Sequence, residues 1–96
     1  MAQLTQQANT WHLSGDLIFA NISGVLAETK AHEIPEQLTL DFAKVAEVDT
    51  SAISLILELQ RRAISQKAEI NVTGISANLT SLMQLYGVEE IILKKQ

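Results

Sequence analysis

The residues best suited to chemistry or recognition are three consecutive polar side chains, Asp49-Thr50-Ser51, which stand between a strand-like segment and a long apolar run. A carboxylate and two hydroxyls can accept hydrogen bonds from the free N–H groups at the start of a helix. A phosphate on either hydroxyl would be tolerated there, because the helix dipole favours negative charge. Helix capping is the simplest role of this triplet, and a site of recognition or modification is the alternative.

Elsewhere the sequence lacks the converging groups that catalysis requires. The two histidines, His12 and His32, are expected on an early strand and near a helix end, without the spacing of an acid–base pair or a metal site. The four glycines are isolated and form no phosphate-binding loop. The absence of cysteine excludes disulfides and thiolate metal sites. We therefore expect a protein that is not an enzyme and that uses no metal or cofactor.

Length and charge restrict the function further. The chain has 96 residues, of which 47% are hydrophobic, and this suffices for one domain over residues 1–96. The net charge of −4 argues against a nucleic-acid binder, which needs clustered lysine and arginine. No apolar run reaches the length of about 20 residues that crosses a bilayer, and the N-terminus does not resemble a signal peptide. We expect a cytosolic domain.

Hydrophobic periodicity predicts an alternation of strands and helices. Gly15-Asp16 is expected to end the second strand, and residues 45–48 to form a connection. Strands separated by single helices favour parallel pairing. The fold class is therefore α/β, with a mostly parallel sheet of four to five strands and about three helices. The strands are expected at residues 4–7, 10–14, 38–42 and 69–73, with a possible last strand at 88–93, and the helices at about 17–34, 51–66 and 77–86.

The helix that follows the triplet has more apolar surface than one sheet face would need. Its apolar residues span an arc of roughly 200°, against about 100° for an ordinary amphipathic helix. Either other helices flank it on both sides, or part of it docks onto a partner. The apolar arc comprises Ala52, Ile53, Leu55, Ile56, Leu57, Leu59, Ala63 and Ile64, and the polar sector comprises Ser51, Ser54, Glu58, Arg61, Arg62 and Ser65.

The segment from Leu38 through the triplet into the apolar helix resembles the core of the STAS domain. This is the fold of anti-sigma-factor antagonists and of the cytoplasmic tails of sulfate transporters. In the antagonists the pattern is Asp-Ser-Ser-Gly followed by an aliphatic residue, and the second serine accepts phosphate from a kinase. Ser51 matches that serine, and Ala52 replaces the glycine. The resemblance implies a single STAS domain with Ser51 as a possible phosphoacceptor.

Two flanking segments resemble a narrower subgroup, the small stand-alone STAS subunits of the bacterial Mla phospholipid-transport complex. They are Ser-Gly-Asp-Leu-Ile-Phe-Ala at residues 14–20 and Leu-Tyr-Gly-Val-Glu-Glu-Ile-Ile at residues 85–92. In that subgroup the residue after the motif aspartate is implicated in function, and Thr50 holds its place. The resemblance implies a cytoplasmic, non-enzymatic subunit that binds the ATPase of an ABC transporter. Its expected partner-binding residues are Asp49, Thr50, Ser51, Ser54 and Glu58.

A different class of function fits the same triplet. The chain would then be an anti-sigma-factor antagonist that releases its partner when Ser51 is phosphorylated. Genes for a permease and an ATPase beside its own would favour the transporter, and genes for a sigma factor and a kinase would favour the antagonist. A small-ligand sensor would require a cavity, which the sequence cannot show.

Overall fold

The structure, a computed structural model, describes residues 2–89 and Ile92. It confirms the α/β class, with four strands and three helices among the described residues. The sheet has the order β1-β2-β3-β4. The β1–β2 pairing is antiparallel and the other two are parallel, so the sheet is mixed. The elements are β1 (Gln3–Gln7), β2 (Thr10–Leu17), α1 (Phe19–Lys30), β3 (Gln37–Val48), α2 (Thr50–Ser65), β4 (Glu69–Thr73) and α3 (Ala77–Leu85).

The two faces of the sheet differ sharply in polarity, because side chains alternate along each strand. Helices α1 and α2, which connect β2 to β3 and β3 to β4, are in contact with each other on one face of the sheet. That face carries the buried side chains Trp11, Leu13, Leu38, Leu40, Phe42 and Ile70. The opposite face, here called the open face, carries the half-buried or exposed side chains His12, Ser14, Thr39, Asp41, Asn71 and Thr73.

Helix α2 lies between the other two helices. On one side the Arg62 guanidinium donates to the Thr29 hydroxyl, at 3.3 Å, and to the Thr29 carbonyl, at 3.4 Å. On the other side α2 packs against α3, and the Gln60 amide donates at 3.3 Å to the carbonyl of Ile92, which follows α3 in the chain. Flanking helices therefore account for most of the wide apolar arc. Its buried members are Ala52, Ile53, Leu55, Ile56, Leu59 and Ala63.

Strands β2 and β3 are both longer than the sequence suggested. Gly15 does not end β2, because it adopts a φ of +83°, accessible to glycine, and the strand continues past a register irregularity. Residues 45–48 are not a loop connection but the end of β3. Leu17 pairs with Val48 there, so parallel pairing between β2 and β3 continues to the ends of both strands.

Two other expected elements also differ from the structure. Helix α1 ends at Lys30, four residues before the limit expected from Pro35. The strand expected at residues 88–93 is wrong for its described part, since the Ile92 amide donates to the Val88 carbonyl at 3.0 Å, a helical spacing. The remainder of that segment lies outside the described residues.

Candidate partner-binding site

The Asp49 side chain caps the N-termini of two helices. It follows β3 and caps α2, where its Oδ1 accepts the Ser51 amide N–H at 2.7 Å. Its Oδ2 accepts the Phe19 amide N–H at 3.0 Å. The residue at the N-cap of α1, Ile18, has no side chain that could make this bond. The carboxylate therefore supplies a cap that the sequence of α1 lacks and ties α1 to α2.

The same hydrogen bonds keep Asp49 ionised. They hold the pKa of Asp49 below its ordinary value of 3.8, chiefly through the Phe19 amide and further through the Ser51 amide and hydroxyl, while partial burial acts in the opposite direction. Two helix N-termini also present partial positive charge to the carboxylate. Asp49 is thus a fixed negative charge and a rigid anchor at the carboxyl end of β3.

The predicted triplet separates into an inward and an outward part. Ser51 is half-buried, and its amide N–H donates to the Asp49 carboxylate. Thr50, between them, is exposed. Asp49 and Ser51 therefore belong to the cap, and Thr50 presents its hydroxyl and methyl to the outside.

A line of side chains continues outward from Thr50 along α2. These residues, here called the outer ridge, follow helical spacings of four and three, so they share the face turned away from the core. Ile64 is 74% exposed, and Leu57 is half-buried and packs in part against the core, so one member of the apolar arc is exposed and a second is only partly covered. The outer ridge comprises Thr50, Ser54, Leu57, Arg61 and Ile64.

Glu58 flanks the outer ridge and pairs with one of its members. The Arg61 guanidinium donates to both carboxylate oxygens, with Nη2–Oε2 at 2.6 Å and Nε–Oε1 at 3.1 Å. This contact lowers the pKa of Glu58 and raises that of Arg61. The structure therefore brings Thr50 and Ser54 together on the ridge, places Glu58 at its flank, and leaves Asp49 and Ser51 at its base.

Sequence reasoning missed an exposed aromatic residue at this site. Phe19 is 82% exposed at the first position of α1, and its amide is the one bound by Asp49. The sequence did not indicate that Phe19 is exposed, because its exposure depends on which elements pack next to the start of α1. Phe19 therefore adds an uncovered apolar ring to the end of the domain that carries Thr50.

A shallow groove opens on the other side of the same end. It has a volume of about 280 Å³ and runs between the end of β3 and α3. Leu85, at its margin, is 74% exposed. Val48, which precedes Asp49 directly, contributes to its floor, so the groove is continuous with the candidate site. Its lining consists of Val48, Asn78, Ser81, Leu82 and Leu85.

The groups at this site can form hydrogen bonds, apolar contacts and an ion pair. Among residues 2–89 and Ile92, no three His, Cys, Asp or Glu side chains are grouped so that they could hold a metal ion. Within the same residues, none of the helices is long and apolar enough to cross a membrane. A hydroxyl, exposed apolar side chains and a flanking ion pair are what a protein–protein contact uses.

The order of strands and helices, together with the capped start of α2, defines a STAS domain. A family model described as "Mlab, STAS domain" matches residues 1–94, and the chain belongs to this family. Domains of the family generally serve regulation or interaction. No curated protein sequence matches the chain.

Solved structures confirm the fold. The anti-sigma-factor antagonist SpoIIAA in its unphosphorylated form matches with a TM-score of 0.73 at 16% identity, over 92% of this chain and 82% of that one. A sulfate transporter family protein from Wolinella succinogenes matches with a TM-score of 0.72 at 16% identity, over 90% and 71%. The phosphorylated form of the Bacillus cell fate determinant SpoIIAA matches with a TM-score of 0.68 at 16% identity, over 92% and 85%. At this identity the similarity concerns the fold alone.

Proposed function

We propose that this chain is a non-catalytic, cytoplasmic subunit of a phospholipid-transport ABC complex that maintains lipid asymmetry in the Gram-negative outer membrane. It binds the MlaF-like ATPase subunit and supports its assembly or activity. The complex also contains a permease and periplasmic lipid-binding subunits. The chain is peripheral to the inner membrane through this partner, does not insert into the membrane and binds no nucleic acid. The observation that carries the proposal is the Mlab family match over residues 1–94.

The N-terminal half of the outer ridge is the contact surface in this proposal. Thr50 and Ser54 offer hydroxyls that can exchange hydrogen bonds with a partner, and both are exposed. Phe19 adds an exposed aromatic ring, and Leu57 adds a half-buried apolar side chain seven residues further along α2 than Thr50. Interfaces derive most of their affinity from a few apolar anchors surrounded by polar contacts. This combination supports a surface centred on Thr50.

The cap beneath the surface supports the same assignment. Asp49 fixes the start of both α1 and α2, so Phe19 and Thr50 are held in a constant relative position. A preorganised surface loses less conformational entropy on binding than a mobile one. In this proposal Asp49 and Ser51 therefore position the contact residues, while Thr50, Ser54 and the Glu58 flank meet the partner.

The test is affinity purification of the tagged chain from native membranes, with three versions compared. Wild type is expected to retain the ATPase and permease. Thr50→Glu puts a charge into the contact surface and is expected to lose them, with partner affinity falling by at least about 2 kcal/mol. Ser65→Glu adds the same charge about 22 Å further along α2 and is expected to behave as wild type. Equal recovery of the ATPase with wild type and Thr50→Glu would refute this surface.

The alternative is an anti-sigma-factor antagonist switched by phosphorylation of Ser51. Its support is the position of Ser51 in the first turn of α2, where helix N–H groups favour a phosphate. The Asp49 carboxylate, which accepts the Ser51 amide N–H at 2.7 Å, disfavours a second negative charge there. Mass spectrometry of the chain isolated from growing cells decides between the two. Stoichiometric phosphate on Ser51, together with recovery of a sigma-factor regulator instead of an ATPase, would establish the switch.

A further inference from the structure

We propose that the open face of the sheet holds an oxyanion site, centred on His12 and Lys44, that takes a phosphate group either free or as a small monoester. The site lies on the side of the sheet opposite the core-facing helices, away from the outer ridge. It is therefore separate from the contact surface centred on Thr50.

The site is built on a row of polar side chains in register across all four strands. Thr5 of β1 lies opposite His12 of β2, His12 opposite Asp41 of β3, and Asp41 opposite Thr73 of β4. Directly paired side chains on one face of a sheet are close enough to interact. The sheet thus holds an imidazole and a carboxylate side by side at the middle of its open face.

The carboxylate in this row is fixed by its surroundings. Asp41 Oδ1 accepts the Ala43 amide N–H at 3.0 Å, and Oδ2 contacts His12 Nδ1 at 2.8 Å. Gly74 makes room for this arrangement: it has a φ of +70°, and a Cβ there would come within 2.6 Å of the Ala43 nitrogen and 2.9 Å of Asp41 Oδ1. The backbone at Ala43 and Gly74, and not only the contact with His12, therefore holds Asp41 in place.

Asp41 in turn orients His12. A carboxylate oxygen can only accept, so the ring donates from Nδ1, and its second nitrogen, Nε2, is left for other partners. His12 also lines a pocket of about 300 Å³ that Asp41 does not line. The imidazole thus connects the fixed carboxylate to the pocket, and the contact with the carboxylate sets the orientation of the ring.

The remaining lining of the pocket favours an anion. Its polar side chains include those of Thr5, Gln7, Ser14 and Lys44, which can all donate hydrogen bonds, and no carboxylate lines it. His12 joins these donors in its imidazolium form, because Nδ1–H is engaged with Asp41 and only the protonated ring also donates from Nε2. Among the described residues, neither the Lys44 ammonium nor the Thr5 and Ser14 hydroxyls make a side-chain hydrogen bond or ion pair within the chain. Lysine binds phosphate as a point charge, and hydroxyls and imidazole complete such sites. The volume admits a phosphate with a small ester substituent.

A titration of the whole chain with inorganic phosphate, followed by amide chemical shifts, tests the site. We expect shifts confined to residues around His12, Ser14 and Lys44. In Lys44→Gln the Kd should rise by up to about fivefold and by more than about twofold, the range for loss of one exposed charge contact. Lys30→Gln removes the same charge from α1 and should leave the Kd within about twofold. Equal Kd values for Lys44→Gln and Lys30→Gln, or shifts centred on the start of α2, would overturn the proposal.

A second variant and a second probe sharpen the result. His12→Gln keeps a hydrogen-bond donor toward Asp41 but cannot carry a charge, and it should also weaken phosphate binding while the thermal midpoint shows that the fold persists. Glycerol 3-phosphate distinguishes the source of the group. Binding at least as tight as that of inorganic phosphate assigns a monoester, and weaker binding assigns free phosphate. Undiminished phosphate affinity in His12→Gln would contradict a site centred on this imidazole.

Discussion

The Asp49 carboxylate accepts the amide N–H of Phe19, 30 residues earlier in the chain, at 3.0 Å. Its other oxygen caps its own helix through Ser51. One side chain therefore sets the relative position of two helix starts, and the exposed residues Phe19 and Thr50 stand on either side of it. In the proposed function this bond is the structural basis of the partner-binding surface.

Asp49→Asn should destabilise the domain by about 1–2 kcal/mol, because one of the two N–H groups bound by the carboxylate loses a hydrogen bond to a charged acceptor. An amide has one acceptor oxygen, so its NH2 group would face one of the two N–H donors that Asp49 now satisfies. The free energy of unfolding in urea measures the loss. Glu47→Gln, which changes the same charge at an exposed position on β3, is the control and should stay within about 0.5 kcal/mol of wild type. A loss as small as that of the control would show that the double cap is not important for stability.

Lowering the pH should reduce the unfolding free energy of the wild type more than that of Asp49→Asn. The pKa of Asp49 is held below 3.8 by the Phe19 and Ser51 groups, and that of Asp41 by the Ala43 amide and His12. Because a folded-state pKa below the unfolded value favours the ionised form, this stabilisation is complete above the unfolded pKa and is lost as pH falls through the folded pKa. We expect unfolding free energy to fall below about pH 4. Urea titrations at several acid pH values measure the unfolding free energy of both proteins. If the two proteins lost the same amount of unfolding free energy as the pH fell, Asp49 would not contribute to the acid sensitivity.

Leu59→Asp and Leu57→Asp should have different effects although both leucines belong to the apolar arc. Leu59 is fully buried, and a carboxylate there costs several kcal/mol against a total stability of about 5 to 15. Leu57 is half-buried on the outer ridge, so its variant should stay folded and lose affinity for the partner. Circular dichroism melting and partner titration separate the two effects. Full partner affinity in folded Leu57→Asp would remove Leu57 from the contact surface.

Phe19→Ser should weaken partner binding about tenfold without loss of stability. The ring is 82% exposed, so its removal costs little in the isolated domain, while an aromatic anchor at an interface contributes more than 1 kcal/mol. Serine keeps the backbone N–H that Asp49 binds. Titration calorimetry with the purified ATPase measures the change, and Ile64→Ser, an exposed apolar residue at the far end of α2, is the control. Wild-type affinity in Phe19→Ser would place the interface elsewhere.

Much of the fold was readable because its signals are local. The alternation in Glu69–Thr73 predicted β4, and Ser76 predicted the start of α3, where its side chain accepts the Leu79 amide N–H at 3.1 Å. The extension of β2 through Gly15 was not readable. A glycine that ends an isolated strand can continue a paired one, because pairing with β3 compensates for its flexibility.

The sequence by itself determined the α/β class, the start of α2 at Asp49-Thr50-Ser51 and the excess of apolar residues on that helix, since periodicity and capping depend on neighbours in the chain. Only the tertiary structure decided which of these residues face outward. Thr50 and Ser51 are adjacent and chemically alike, yet Ser51 is half-buried beside Asp49 and Thr50 is exposed. Likewise Phe19 is exposed, and His12 contacts Asp41, because burial and cross-strand contact depend on elements that lie far apart in sequence.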